Sequence, residues 1–161
     1  MKNKPYRVII AGSRSFNDYD LLCQKCDEIF SSVKQEKKII IISGTAQGAD
    51  CLGEKYAREH NIPVRRFAAQ WQIYNKAAGI IRNAQMADNA EALIAFWDGQ
   101  SAGTKNMIWT ARNKGLDVTM VIYMTAEMKR HIKSLGDDFS NKKSRQELFY
   151  LINSYLKKNK S

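Results

Sequence analysis

Lys38-Ile39-Ile40-Ile41-Ile42-Ser43-Gly44-Thr45-Ala46-Gln47-Gly48-Ala49-Asp50 decides the class of fold. The four isoleucines are apolar at every position, so the run reads as a strand buried on both faces rather than one that alternates wet and dry. Ser43 and Gly44 end it, a short polar loop follows, and Ala49-Asp50 opens a segment that reads as helix to about His60. A buried strand, a glycine loop and a helix form the repeating unit of a parallel sheet covered by helices on both sides.

The unit recurs along the chain. Arg7-Val8-Ile9-Ile10-Ala11 is a buried strand that turns at Gly12-Ser13-Arg14. Asn17 or Asp18 can then cap a helix over Tyr19–Val33, with Leu22, Cys26, Ile29 and Phe30 on one face. Pro63-Val64-Arg65-Arg66-Phe67 reads as a weaker strand near an edge. A loop holding Trp71 and Tyr74 leads to a helix around Ala77–Ala87. The strand Ala92–Phe96 and the loop Trp97–Thr104 precede a helix to Lys114, with Gly115 placed as its left-handed cap. Asp117–Tyr123 is a fifth strand. Two helices broken near Gly136 follow, the second carrying Leu148, Leu151, Ile152 and Tyr155 as a stripe. The expectation is an α/β, Rossmann-like parallel sheet of about five strands with helices on both faces. The core domain spans residues 1–125 and a basic helical extension residues 126–161.

Composition sets the outer bounds. The 161 residues are 44% hydrophobic and 26% charged, enough for one ordinary domain. No apolar run reaches the roughly 18 residues of a membrane span. The start, Met1–Pro5, has no apolar leader before the first strand, so a cytoplasmic location is expected and no membrane partner. Cys23 and Cys26 form a C-x-x-C within a helix, and no second ligand pair accompanies them. They read as ordinary helix cysteines, with no metal site expected. His60 and His131 lie away from the glycine loops and read as structural or surface residues. Half of the net charge of +10 falls in residues 125–161, which hold 9 Lys and Arg against 4 Asp and Glu. Such a basic tail suits nucleic acid, or simply a solvated helix face.

Chemistry gathers in three loops, each leaving a strand and opening a helix: Gly12–Ser15, Ser43–Asp50 and Asp98–Thr104. In an open parallel sheet all three lie at the carboxyl edge, where ligands bind. Glycine admits a close backbone approach, and a helix N-terminus offers free N–H groups and a positive dipole end to phosphate. Ser43, Thr45, Ser101 and Thr104 add hydroxyls. Arg14 and Arg82 add planar guanidinium forks suited to phosphate. Trp71 in its loop, with Tyr74 and Trp97 near the same edge, could stack on a base. The second loop lacks the Lys-Ser/Thr of a P-loop, and the first does not complete G-x-G-x-x-G, so neither an ATPase nor a standard NAD enzyme is supported.

Four motifs stand in register: Gly12-Ser13-Arg14-Ser15-Phe16; Ser43-Gly44 with Gly48-Ala49-Asp50; Trp71 with Ala78-Gly79, Arg82-Asn83 and Met86; and Phe96-Trp97-Asp98-Gly99 with Ser101 and Gly103-Thr104. Over roughly residues 6–123 they resemble the YspA/YpsA-related branch of the SLOG superfamily, which also includes DprA and the LONELY GUY phosphoribohydrolases. The resemblance implies a Rossmann-like fold and a site for nucleotides or nucleotide-derived ligands. It implies a site at Gly12, Ser13, Arg14, Gly44, Gly48, Asp50, Arg82, Asn83, Asp98, Gly99, Ser101, Gly103 and Thr104, to which the loop chemistry adds Thr45 and Trp71. Where the LONELY GUY motif carries a catalytic glutamate, this chain has Met107, and a thioether is no acid or base.

Three functions follow as expectations. The first is binding, for sensing or processing, of a phosphate-bearing nucleotide-type ligand. The second is hydrolysis of an N-glycosidic or phosphate bond using Asp98 or Asp50. The third is DNA binding, from the charge and the relation to DprA. No cofactor is named by these residues, and self-association into a homo-oligomer stays open.

Overall fold

The computed structural model describes residues 4–34, 36–134 and 154. Five strands form one parallel sheet: β1 (Tyr6–Gly12), β2 (Ile39–Ser43), β3 (Val64–Arg66), β4 (Ala92–Trp97) and β5 (Asp117–Ile122). Their order across the sheet is β3-β2-β1-β4-β5. The chain thus works outward from β1 to β3, then crosses back to lay β4 on the other side of β1. The switch point lies between β1 and β4, where Val8 pairs with Ala92 and Gly12 with Phe96.

Alternation within the apolar strands divides the core in two. Val8, Ile10, Ile94 and Phe96 face α1 (Tyr19–Val33) and α2 (Ala49–Glu59), packing with Leu22, Cys26, Phe30 and Tyr56. Ile9, Ala11, Leu93 and Ala95 face the opposite layer. That layer is α4 (Ala78–Asp88) and α5 (Ala102–Asn113), which contribute Met86, Ala87, Met107, Ile108 and Ala111. A fully buried aliphatic or aromatic side chain is worth about 1.5–3 kcal/mol, so strands that are apolar on both faces hold both layers. Asp18, rather than Asn17, caps α1, its Oδ1 accepting from Leu21 N at 3.0 Å. Gly115, at φ +75°, closes α5 in the left-handed region expected of it.

The third strand is short and lies at the sheet edge, as its weak pattern suggested. The loop expected around Trp71 is instead a single helical turn, α3 (Trp71–Tyr74), followed by a 3-10 turn, Asn75–Ala77. Every residue from Trp71 to Ala77 is exposed. β5 is followed by α6 (Ala126–Ser134), and the stripe at Leu148, Leu151, Ile152 and Tyr155 lies outside the described residues. Among the described residues no helix is long and apolar enough to cross a membrane.

Candidate functional site

The three loops meet above the β1–β4 switch. Ser13 is buried and donates its N–H to Phe96 O at 2.9 Å, while its hydroxyl accepts from Asp98 N at 3.2 Å. The first and third loops are thereby pinned together. The second is locked to the first by Gly48, whose φ is +83°; a Cβ there would stand 2.4 Å from Ser13 O. Close packing of backbone on backbone thus sets the relative position of the loops before any ligand arrives.

Beside this junction, on the α4–α5 side of the sheet, opens a cleft of ≈ 330 Å³. Nine of the expected residues line it: Gly12, Arg14, Asp50, Trp71, Arg82, Asn83, Ser101, Gly103 and Thr104. Ala11, Met86 and Met107 add apolar surface, and Met107 is itself buried in the core under α5. Sequence reading missed Lys76, Ile80 and Asn106, which also line the cleft. Lys76 projects from the 3-10 turn, whereas Ile80 and Asn106 sit inside helices that only the α4–α5 packing turns toward the opening.

The N-terminus of α5 lines the cleft. Asp98 Oδ1 accepts from Gln100 N and Ser101 N, both at 2.9 Å, and this turn, which includes Gly99, delivers Ser101 to the N-cap of α5. Ser101 Oγ accepts from Thr104 N at 3.3 Å and lies 3.0 Å from Thr104 Oγ1. First-turn N–H groups have no acceptor within their own helix. Those of Ala102 and Gly103 remain, and both residues line the cleft. Asn83 braces the turn from α4, donating to Gly103 O at 3.3 Å and to Asn106 Oδ1 at 3.0 Å.

Across the cleft stand the cations. Arg82 donates through Nη1 to Gly44 O and through Nε to Asn83 Oδ1, which fixes the guanidinium plane. Burial, together with the Arg14 charge, holds Arg82 below the usual guanidinium range, while Asp50 pulls the other way. Asp50 is buried. Its carboxyl is pushed up to about 6 by burial, against the stabilising N–H groups of Ala46 and Gly12 and the Arg82 charge. Asp50 accepts from Ala46 N at 3.2 Å within the second loop and from the Gly12 N–H of the first, so the carboxylate lining the cleft ties those two loops together. Three cations, Arg14, Lys76 and Arg82, face that single acid. An electropositive opening with free amides and an apolar floor fits a phosphate attached to a flat or apolar group.

The remaining expected residues stand outside the cleft lining. Gly44 supplies the carbonyl that holds Arg82, and Ser13 and Gly48 join the loops. Thr45 is exposed at φ +65°, an outlying conformation for a β-branched residue. Its N–H is held by Ser43 Oγ at 3.1 Å, and Ser43 in turn donates to Glu54 Oε1 at 2.7 Å. Asp98 has its carboxylate engaged in the turn. Trp97 Nε1 donates to Ser101 O at 3.1 Å and so supports the loop. His60, at the C-terminal end of α2, stacks on Tyr56 with ring centroids 3.9 Å apart. Cys26 is buried, which pushes its thiol up and away from reactivity.

Comparison with known proteins is consistent with this picture. The model of the YspA, cpYpsA-related SLOG family matches residues 6–74, which hold the first two loops and Trp71. The Gene 61 protein of Mycobacterium phage D29 is 30% identical over 122 residues, 70% of this chain and 93% of that protein. DprA from Streptococcus pneumoniae superposes with a TM-score of 0.56 at 16% identity, over 83% of this chain and 57% of that one. This chain therefore spans little more than half of the pneumococcal protein. DprA from Helicobacter pylori, described with a single-stranded DNA binding mode, gives a TM-score of 0.56 at 16% identity, over 97% of this chain and 82% of that one. At such identity the two DprA structures share the fold.

Proposed function

The chain belongs to the YspA, cpYpsA-related SLOG family, and from that premise we propose that its cleft binds a phosphate-bearing nucleotide or nucleotide-derived ligand. The observation that carries the reading is the convergence of the α5 N-terminus with Arg14, Lys76 and Arg82 in one cleft. The phosphate takes the Ala102 and Gly103 amides with the Ser101 hydroxyl, which Thr104 Oγ1 orients by donating to it. Arg82, already oriented by Gly44 and Asn83, donates its remaining N–H groups, and Arg14 and Lys76 close from the rim. Relief of the repulsion between Arg14 and Arg82 adds to the affinity. Trp71 offers an aromatic face to the base, and Ala11, Met86 and Met107 offer an apolar floor.

A second reading, hydrolysis, draws on one observation: a cleft carboxyl at about 6 holds a usable proton near neutral pH. It assigns acid–base work to Asp50 rather than to Asp98, whose oxygen is taken by two backbone amides. DNA binding, the third reading, draws on the cations at the rim and the basic C-terminal residues.

The test is a thermal-shift panel of mono- and dinucleotides, cyclic nucleotides, ADP-ribose and NAD. Ligand at a hundred times its Kd adds about 2.7 kcal/mol, a rise of roughly 5–10 °C for a chain of this size. Arg82→Ala abolishes the shift if the reading is right. A flat panel together with salt-sensitive binding of single-stranded DNA that survives Arg82→Ala moves the function to nucleic acid. Product formed by the wild type and lost in Asp50→Asn establishes turnover.

A further inference from the structure

Thr45 is the strained point of the second loop, an exposed β-branched residue at φ +65°. The peptide units on both sides of it are held. Ala46 N, after it, donates to Asp50 Oδ2 at 3.2 Å. The Gly44–Thr45 unit, before it, is bonded at both ends: Thr45 N donates to Ser43 Oγ at 3.1 Å, and Gly44 O accepts from Arg82 Nη1. From Ser43 a hydrogen-bond chain runs away from the cleft. Ser43 Oγ donates to Glu54 Oε1 at 2.7 Å, and Glu54 Oε2 accepts from Arg66 Nε at 3.0 Å. From Arg82 the chain runs on through Asn83 to Gly103 O, in the first turn of α5. Ser43 and Gly44 are buried, and the Glu54 side chain is only 18% exposed. Glu54, Ser43 and Arg66 all stand outside the cleft lining.

We propose that Glu54 is a positioning residue for Arg82: through Ser43 it holds the Gly44–Thr45 peptide in the orientation that turns the Gly44 carbonyl to the guanidinium. A peptide plane flips by opposite rotations about two bonds, here ψ of Gly44 and φ of Thr45, as between the two common turn types. The flip returns Thr45 to negative φ, which a β-branched residue prefers, and points the carbonyl away from Arg82. The Ser43 hydroxyl opposes it. It has one proton, and giving that proton to Glu54 leaves its lone pairs for Thr45 N–H. A carboxylate acceptor makes the donation strong, and Arg66 keeps the carboxylate aimed. Without Glu54, the buried hydroxyl turns to another acceptor, and its lone pairs turn from Thr45. Asp50 cannot take over, since it holds the peptide on the far side of Thr45. Arg82 needs such imposed order because Arg14 repels it across the cleft. Gly44 O and Asn83 Oδ1 are the acceptors that fix its plane against that repulsion.

The consequence for phosphate rests on the reading of the cleft given above; the effect on Arg82 does not, and nuclear magnetic resonance of the full chain separates the two. Without ligand, the wild type shows a slowly exchanging Arg82 Nε–H and, although Thr45 is exposed, a protected Thr45 N–H. In Glu54→Ala both exchange at least ~10-fold faster, while the amides of β1 and β4 keep their rates. Glu54→Gln, whose amide oxygen still accepts from Ser43, keeps most of the protection. Thr45→Gly removes the cost of a positive φ and so restores the Arg82 Nε–H in Glu54→Ala, a rescue that a general loss of stability does not allow. In the second arm, inorganic phosphate is titrated against the Ala102 and Gly103 amides, and Glu54→Ala weakens its binding by roughly fivefold. A wild type whose amides ignore phosphate sinks the reading of the cleft, and the exchange arm still decides on Glu54. An open-loop exchange rate at Thr45 in the wild type overturns the proposal without any variant. Unchanged Arg82 exchange in Glu54→Ala, a loss that Thr45→Gly does not repair, or a loosened Arg82 that binds phosphate as before overturns it equally.

Discussion

Asp50 and Arg82 flank Gly44 so closely that a Cβ on that glycine would lie 2.7 Å from Asp50 Oδ2 and 2.6 Å from Arg82 Nη1. The glycine leaves the acid and the base a shared space behind the cleft. Gly44→Ala must therefore push the guanidinium off the Gly44 carbonyl or the carboxylate off Ala46 N. The expected outcome is a loss of about 1–3 kcal/mol in urea unfolding, as for other overpacked sites. Nucleotide affinity should fall by roughly tenfold as the oriented guanidinium is displaced. Calorimetric titration of the same variant separates the two effects.

Asp50 also predicts a pH dependence. Its folded carboxyl titrates at about 6, against an ordinary value of 3.8. Between those values the folded state keeps a proton that the unfolded state has released, so stability falls as pH rises through that window and levels off above it. The scale is on the order of 3 kcal/mol. Glu54 and Glu91 are held below the usual carboxylate range by Arg66 with Ser43 and by Arg7, overcoming the opposing effect of burial, and contribute the opposite slope. The informative quantity is therefore the difference between the wild type and Asp50→Asn from pH 4 to 7, with the fall confined to the wild type. Parallel curves would show that Asp50 is ionised throughout.

The architecture was legible because β1, β2 and β4 are apolar on both faces, a pattern that requires cover on both sides. The loops were legible because glycine, serine and arginine stand where strands end. Which way each loop residue faces was not. Asp98 and Arg14 look alike as polar residues in glycine loops, yet one closes a turn with its carboxylate and the other lines the cleft. That choice depends on the handedness of a few peptide units. Trp71–Tyr74 escaped as a helix because a single turn is too short to show a period. Ile80 and Asn106 escaped because helix positions become site positions only when α4 packs on α5. Asn106 carried one faint signal, a polar residue one turn after Gly103 and beside the buried Met107.

Gly48 offers a test of how the loops are joined. Its positive φ and the Ser13 carbonyl beside it both exclude a side chain. Gly48→Ala is expected to cost more than about 1 kcal/mol, because the strain of a positive φ and the clash with Ser13 O exceed the roughly 0.4–1 kcal/mol that alanine gains through a less flexible unfolded chain. The loss appears as a lower melting temperature. It also loosens the first loop, so hydrogen exchange at residues 12–16 should accelerate more than at β5. Uniform acceleration would mean that Gly48 serves global stability alone.

At the opposite end of the sheet, Glu91 separates fold from site. Its Oε2 accepts from Arg7 N at 2.7 Å, and its Oε1 accepts from Arg7 Nη2 at 2.7 Å, fastening the start of β1 to the start of β4. Glu91→Gln removes the charge but keeps the shape. The charge-assisted bonds are then weakened, and a loss of about 1–3 kcal/mol in denaturant unfolding is expected. The cleft lies past the other ends of the same strands, joined to this pair only through a sheet that stays paired. Nucleotide affinity in Glu91→Gln should therefore equal that of the wild type at a temperature where both are folded. A matched loss of affinity would mean that the register of β1 against β4, and not the loop contacts alone, holds the α5 N-terminus opposite Arg82.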